Sequence, residues 1–503
     1  MIDIVIIGAG VAGLRAAQIL LSESKDPLRI VVLEARSVAG GRIRWTHLPL
    51  SSSVSNDKNK NHDDHHDHDR HHRLYIDEGA QFIHGVAKKN PLIPLAQKEK
   101  IPYRKMDWDD GYLFVGPNQQ ELPRKVEQKE EKIIRKIHGQ LRQWQKKQSK
   151  LKSTTSSNDI MQEDASLQSV LEPFVEEHCP NDQTSAVSES NRSSMSSVAR
   201  MWALLQMEIA DEYATDLDSL SARYYDQDEV FGDTDAVPQT YQKIVEALSS
   251  GLDERGIILY QHIVEHISFG SSSTGATITC RRSDTNEVVT LGAQRVICTL
   301  PLGVLKQRAA TLFDPPLPNS LQGSIGRLGF GCLEKVWLQF RCPPFWPTDS
   351  DAFYHAASDT PFREWFLPAR VYRDAAYERT LCCFVAGSKA RALADLSSPQ
   401  VAAQALAALR QILTVPSGDD DDESLIQHVH VTRWSTDPWS GHGSYSHLAV
   451  GSTPKDFTVW ESSCFDNRLW FAGEASHVKY PATVHGAYLS GERAARSCLK
   501  NLA

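Results

Sequence analysis

Gly8, Gly10 and Gly13 form a GAGVAG run between an all-apolar stretch, Ile4–Ile7, and a helical pattern through Leu14, Ala17 and Leu21. G-x-G-x-x-G alone is a weak signal, but between a strand and a helix it has the setting its mechanism requires. Gly8 permits the tight turn, and Gly10 lets the backbone approach a pyrophosphate. Gly13 allows the helix to pack on the strand with its N-terminus facing the phosphates. A second apolar run, Ile30–Leu33, ends in Glu34. Alone, that glutamate is a solvated strand end. Coupled to the glycines at this spacing, its carboxylate accepts the ribose hydroxyls of an adenosine and disfavours a 2′-phosphate, which argues against NADP.

The next residues separate FAD from NAD. GAGVAGL, then LEAR ending at Arg36, then GGR at Gly40, Gly41 and Arg42 resemble the FAD-dependent amine oxidase family, which includes polyamine oxidases and lysine-specific histone demethylases. The resemblance implies FAD as cofactor, with Gly41 in its binding turn and Arg36 and Arg42 against the pyrophosphate. A planar guanidinium suits a phosphate chemically. DEGAQFIHG, from Asp77 to Gly85, is similar to the family's second flavin-contacting segment, which implies that the backbone at Gln81 and Phe82 approaches the flavin. His84 falls where several polyamine oxidases carry a histidine beside the substrate amine; a lone histidine is otherwise a surface or hydrogen-bonded core residue. CTLPLGVLK, from Cys298 to Lys306, nearly matches a family segment, most closely that of the demethylases. Before it, Leu259–Val264 reads as one strand, and the resemblance implies that Val264 contacts adenine through its backbone.

Alternation over Leu333–Phe340 places Val336, Leu338 and Phe340 on one strand face and Lys335 and Trp337 on the other. A lysine at a strand start commonly snorkels to solvent. The resemblance instead gives Lys335 the family's role of holding a water against flavin N5. The stretch from Trp434 to Ser446 resembles the loop that walls the flavin's reactive face, with Trp439 beside the cofactor and Tyr445 caging the substrate nitrogen. A π face attracts an amine cation; the plain alternative is a core tyrosine. FAGE, ending at Glu474, and YPATVHGAYLSG, from Tyr480 to Gly491, are the most specific motifs. Pro481 suits the first turn of a helix running to about Leu499. By the resemblance that N-terminus, with Val484, points at the flavin's N1–C2=O edge, where its dipole stabilises negative charge. Glu474 is then placed to bond the FAD sugar or ribityl hydroxyls. Thr483 stands where some relatives have a second cage aromatic, which leaves room for a bulky or secondary amine.

These motifs run from one end of the chain to the other, and 503 residues exceed what one core supports. The expected fold is α/β with two domains. A Rossmann-like FAD-binding domain takes 1–91, 230–310 and 425–503, and an interleaved α+β substrate domain takes 92–229 and 311–424, with the active site between them. Two insertions, 51–73 and 153–198, read as flexible. The first carries His62, His65, His66, His68, His71 and His72 among aspartates; such a tract binds metals adventitiously, and nothing apolar is there to fold it. No resident metal is expected. Residues 125–152 read as a basic surface helix and 419–423 as an acidic loop. VPQTY, ending at Tyr241, lacks the glycine the family has before the tyrosine, which leaves its strand-to-helix geometry open. Glu208 falls among the tunnel acids of polyamine oxidases and is assigned to substrate binding, whereas Asp211 and Glu212 read as a surface helix.

A net charge of −9 argues against a nucleic-acid partner and mildly favours cationic ligands. No run approaches the ~20 apolar residues of a membrane helix, so no membrane partner is expected. Nine cysteines without a CxxC read as reduced thiols. The absence of a leader before Ile2 suggests a cytoplasmic protein, or a nuclear one under the demethylase reading. The expected reaction is oxidation of a small cationic polyamine with O2 as co-substrate. Demethylation of methyl-lysine and an inactive flavin-binding scaffold are the alternatives; a long helical tower, which would favour demethylation, is not visible.

Overall fold

We describe a computed structural model of the chain over residues 2–49, 73–106, 111–114, 124–151, 164–179, 196–232, 234–270, 275–356, 360–416 and 425–502. The histidine-rich tract, most of the serine-rich stretch and the acidic loop 419–423 lie outside the described residues.

An eight-stranded sheet is centred on Ile2–Ile7, which runs parallel to Ile30–Leu33 on one side and to Val288–Cys298 on the other. Ile4 to Ile7 are buried on both faces, which is why the run carries no polar alternation. Helices Val11–Glu23 and Val484–Lys500 pack against each other on one face, so the two ends of the chain share one core. On the other face Val5 and Ile7 join Ile267, Leu302, Leu321 and Phe471 in a second core.

A separate six-stranded sheet orders Ile426–Val431, Leu333–Phe340, Thr380–Ala386, Glu364–Phe366, Ala352–His355 and Gly111–Phe114. All its pairings are antiparallel except the last. Helix Ser398–Ile412 covers one face, closed at its start by a Ser397–Gln400 capping box. Both faces of Leu333–Phe340 are buried, so the strand is polar-inward at Lys335 rather than half-solvated. A third, helical group packs Arg124–Leu151, Leu167–His178 and Ser197–Leu205 around Ile137, Leu171 and Met201.

Several expected boundaries shift. Leu92, Ile93 and Ala96 pack into the core of the eight-stranded sheet, and Phe313–Asp314 extends that sheet, although both segments were expected in the substrate domain. Ile426–Val431 joins the six-stranded sheet, although 425–503 was expected in the FAD-binding domain. An amphipathic element carries its apolar face in its sequence but not the identity of the sheet that receives it. Leu259–Val264 is not one strand: a left-handed turn at Gln261, φ 60°, separates Ile258–Leu259 from His262–Phe269. At VPQTY, Ala236–Pro238 pairs with Tyr103–Lys105 and the helix begins at Gln242. Neither Gln239 nor Thr240 has a positive φ, so this turn does without the glycine.

Candidate active site

The glycine turn is tight on one side and open on the other. Gly8 sits at φ 100° and donates its amide to Leu33 O at 2.7 Å. A Cβ on Gly13 would stand 2.0 Å from the Gly8 carbonyl oxygen, so the helix lies directly on the turn. A Cβ on Gly10 would meet nothing within 4 Å, and Gly10 begins the helix with no side-chain cap. The helix thus starts beside open space at Gly10 with no side chain capping it, the arrangement that receives a pyrophosphate. Gly41, at φ 61°, closes the far wall of this cradle with its Cβ direction 3.4 Å from Gly10 Cα. Glu34 is buried at the strand end and accepts the amides of Ala9, at 2.8 Å, and Arg36, at 2.9 Å. Burial raises its pKa against these bonds. The carboxylate thus pins the cradle, and its remaining lone pairs are those a ribose diol uses. Val264 lies two residues beyond His262, whose amide donates to Glu34 O; the Val264 carbonyl accepts from Arg308 at 3.1 Å.

An ion-pair network borders the cradle. Arg36 and Arg44 both donate to Asp437 Oδ2, at 2.6 and 2.8 Å, and Arg44 also reaches Glu78, which accepts His430. Burial alone would raise the Asp437 pKa; the bond and charge of Arg36, then Arg44, bring it below the ordinary value. Trp439 donates its amide to Asp437 Oδ1. Arg42 joins Glu474 at 2.8 Å and the Ser444 carbonyl at 2.8 Å. Glu474 further accepts the Ser446 hydroxyl at 2.5 Å and the Ala482 amide at 2.9 Å. One buried carboxylate therefore ties the GGR turn, the Tyr445 loop and the approach to the last helix.

That helix runs Val484–Lys500, so Pro481 does not lie in its first turn as expected. Ala482 turns the chain at φ 60°, and Thr483 is the N-cap, its hydroxyl accepting the Gly486 amide at 2.9 Å and donating to Tyr480 O. Proline fits a first turn by its own dihedral, but here the cap chemistry of Thr483 sets the start. Helix geometry leaves the Val484 and His485 amides without intrahelical acceptors.

Lys335 is only 3% exposed. Its Nζ donates to the carbonyls of Asp77, at 3.1 Å, and Gly79, at 2.7 Å, and to Gln81 Oε1 at 2.7 Å. The DEGAQ segment and the strand lysine are thereby one unit. Phe82 packs edge-on against Phe366 and Phe384, and its carbonyl accepts the Tyr241 hydroxyl. His84 is half-exposed and lies 3.2 Å from Asp235. Burial would lower its pKa, but the bond to Asp235 and the charges of Glu212 and Asp228 outweigh that and raise it. The Tyr445 hydroxyl donates to Glu212 O at 2.9 Å.

The acidic wall differs from the expected one. A π-helical turn, Gln206–Ala210, follows helix Ser197–Leu205; such turns recur at functional sites. Glu208 faces His138 on the basic helix, at 3.3 Å. Asp211 is no surface residue: Gln206 bonds it at 2.8 Å and Arg363 lies 3.6 Å away. The charges felt by Tyr445 are those of Glu212, Glu364 and Asp211. Burial, reinforced by Asp211, pushes Glu364 up to about 8. Asp228, Asp235 and Glu364 had no sequence signal. They come from separate segments that only the fold gathers.

The flavin containing amine oxidoreductase family profile matches residues 11–499. Lysine-specific histone demethylase 1 homolog 1 of Arabidopsis thaliana is 32% identical over 99% of the chain and 52% of its own length. Protein FLOWERING LOCUS D of the same plant is 31% identical over 98% of the chain and 55% of its own. The chain thus spans about half the length of these curated relatives. Among solved structures, putrescine oxidase bound to putrescine superposes with a TM-score of 0.65 over 98% of both chains, at 18% identity, a likeness of fold. The open cradle at Gly10, the buried carboxylate at Glu34 and the arginines beside them fit the phosphates and ribose of FAD. The chain belongs to the flavin-containing amine oxidoreductase family, with FAD as its cofactor.

Proposed function

We propose that the chain oxidises an N-alkylated amine carried on a polycation, at a carbon next to the nitrogen. The observation that carries this reading is the set of carboxylates Asp211, Glu212, Asp228 and Asp235 gathered around Tyr445 and His84, with Glu364 beside them as an acid that gains its charge only near pH 8. Distal ammonium groups lose water on entering such a site, and a wall of carboxylates offsets that cost. Tyr445 presents a π face to the reacting nitrogen. Thr483, smaller than an aromatic residue, leaves the other side open to an alkylated amine. Bound FAD would supply the two-electron oxidation of the amine to an imine, with O2 as the final acceptor reduced to H2O2. Water then splits the imine into an aldehyde and a shorter amine. In this reading Lys335 holds the Asp77–Gln81 segment at the reacting face, its three N–H groups given to Asp77 O, Gly79 O and Gln81 Oε1, and Lys335→Met slows flavin reduction or reoxidation.

A methyl-lysine in a basic peptide is the first substrate to test, because relatives matched over nearly the whole chain are named lysine-specific histone demethylases. The expected free polyamine is the second reading, favoured by the succession of acids at Glu208, Asp211 and Glu212, which suits spaced ammonium groups. Anaerobic mixing with a dimethyl-lysine histone peptide, spermine, spermidine and N1-acetylspermine, followed by flavin bleaching, separates them. Bleaching by the peptide alone supports demethylation, and bleaching by polyamines alone supports the second reading. Failure of all four to bleach the flavin refutes both.

A further inference from the structure

Behind Lys335 lies a buried acid that the reaction as described does not use. Asp77 is 0% exposed. Its Oδ1 accepts the Tyr75 hydroxyl at 2.5 Å and its Oδ2 the Tyr372 hydroxyl at 3.3 Å. The same Tyr372 oxygen accepts Gln81 Nε2 at 2.9 Å, and Gln81 Oε1 accepts Lys335 Nζ at 2.7 Å. A continuous path of hydrogen bonds thus joins the carboxylate to the ammonium, while the Asp77 carbonyl holds Lys335 directly. A carboxylate this deep is costly unless a cation compensates it.

We propose that Asp77 is the counter-charge of Lys335, and that Asp77, Tyr75 and Tyr372 are positioning residues that keep the lysine an ammonium with its head fixed on Gln81. The role rests on the amine-oxidase reading only for its effect on catalysis; the charge pairing itself belongs to the fold.

The surroundings agree with this pairing. Burial pushes Asp77 up to about 6, opposed first by the charge of Lys335 and then by the bonds from Tyr75 and Tyr372. Burial pulls Lys335 below its ordinary value, opposed by Cys382, Asp77 and Glu78. Burial raises the pKa of Tyr241 and Tyr377, and the charge of Asp77 adds to both, after that of Asp374 for Tyr377. Glu78 is engaged by Arg44 and His430, which leaves Asp77 as the carboxylate linked to Lys335.

The test compares the FAD-loaded wild type with Asp77→Asn, Asp77→Glu, Tyr372→Phe, Lys335→Met and the double variant Asp77→Asn/Lys335→Met. Thermal unfolding from pH 5 to 10 reads the charge pair without any substrate. Asp77→Asn is expected to lower the melting temperature more than the double variant does, because it strands a buried ammonium that the double variant removes. The pH above which flavin reduction is lost should fall by about one to three pH units in Asp77→Asn, less in Tyr372→Phe, and return in Asp77→Glu. Additive melting losses in the double variant, with an unmoved pH profile, would show Asp77 to be structural only and overturn the proposal. If Asp77→Asn does not fold, the same comparison is made with Tyr372→Phe alone and combined with Lys335→Met. Wild-type turnover in Lys335→Met, together with coupled melting, would sink the amine-oxidase role of Lys335 while leaving the pairing intact.

Discussion

Two alanine substitutions three residues apart should fail in opposite ways. At Gly10 the dihedrals, φ −74° and ψ 176°, suit any L-residue, and an added methyl meets no atom within 4 Å. Folding stability should therefore move by less than about 1 kcal/mol, the small balance between a stiffer unfolded chain and a poorer N-cap. The methyl instead fills the space in front of the helix, where the pyrophosphate belongs. Losing one charge-assisted hydrogen bond there costs about 1.5–3 kcal/mol, roughly 10- to 150-fold in the Kd for FAD. At Gly13 the methyl would stand 2.0 Å from the Gly8 oxygen, 3.2 Å from its carbonyl carbon and 3.3 Å from Ile6 Cγ2. Backbone cannot step aside, so Gly13→Ala should destabilise the fold by about 1–3 kcal/mol or more. The assay titrates FAD into flavin-depleted protein by fluorescence quenching, alongside melting curves. Wild-type FAD affinity in Gly10→Ala, or a wild-type melting temperature in Gly13→Ala, would refute the division of labour between the two glycines.

Thr483→Ala removes the cap of the last helix and should cost about 0.5–2 kcal/mol, with Thr483→Ser recovering most of it; the melting temperature reads both. Glu364, with its pKa near 8, holds a proton in the fold that the unfolded chain has released. Its contribution to stability therefore falls as pH rises from the ordinary carboxylate range to about 8. Glu364→Gln should flatten that slope. In parallel, the KM of variant and wild type for a polycationic amine should agree near pH 6.5 and diverge above pH 8, where only the wild type gains a charge. A constant KM ratio across that range would show that Glu364 does not face the substrate.

Much of the cofactor site is local and was legible in the chain. A strand buried on both faces shows as Ile4–Ile7, and the turn after it needs glycines for reasons that lie within a few residues. The acid at Glu34 and the arginines at 36 and 42 follow at distances set by the strand and loop. The motif around Lys335 named the lysine, but only the six-stranded sheet shows it buried and held by the Asp77–Gln81 segment. The resemblance sets Thr483 at the second cage position. Its role as the helix cap was not legible, because Pro481 satisfies the same local preference two residues earlier. Spacing singles out Glu208, but the charges of Asp211 and Glu212 on Tyr445 depend on how the chain folds after the π-helical turn. The acids that act on Tyr445 are Asp211, Glu212 and Glu364, those that act on His84 are Glu212, Asp228 and Asp235, and no local period links them. Local sequence determined the cofactor cradle, since its geometry is a matter of backbone freedom and short-range hydrogen bonds. Only the tertiary structure decided which carboxylates gather at Tyr445 and His84 and which buried acid is linked to Lys335, because charge interactions depend on distances between segments far apart in the chain.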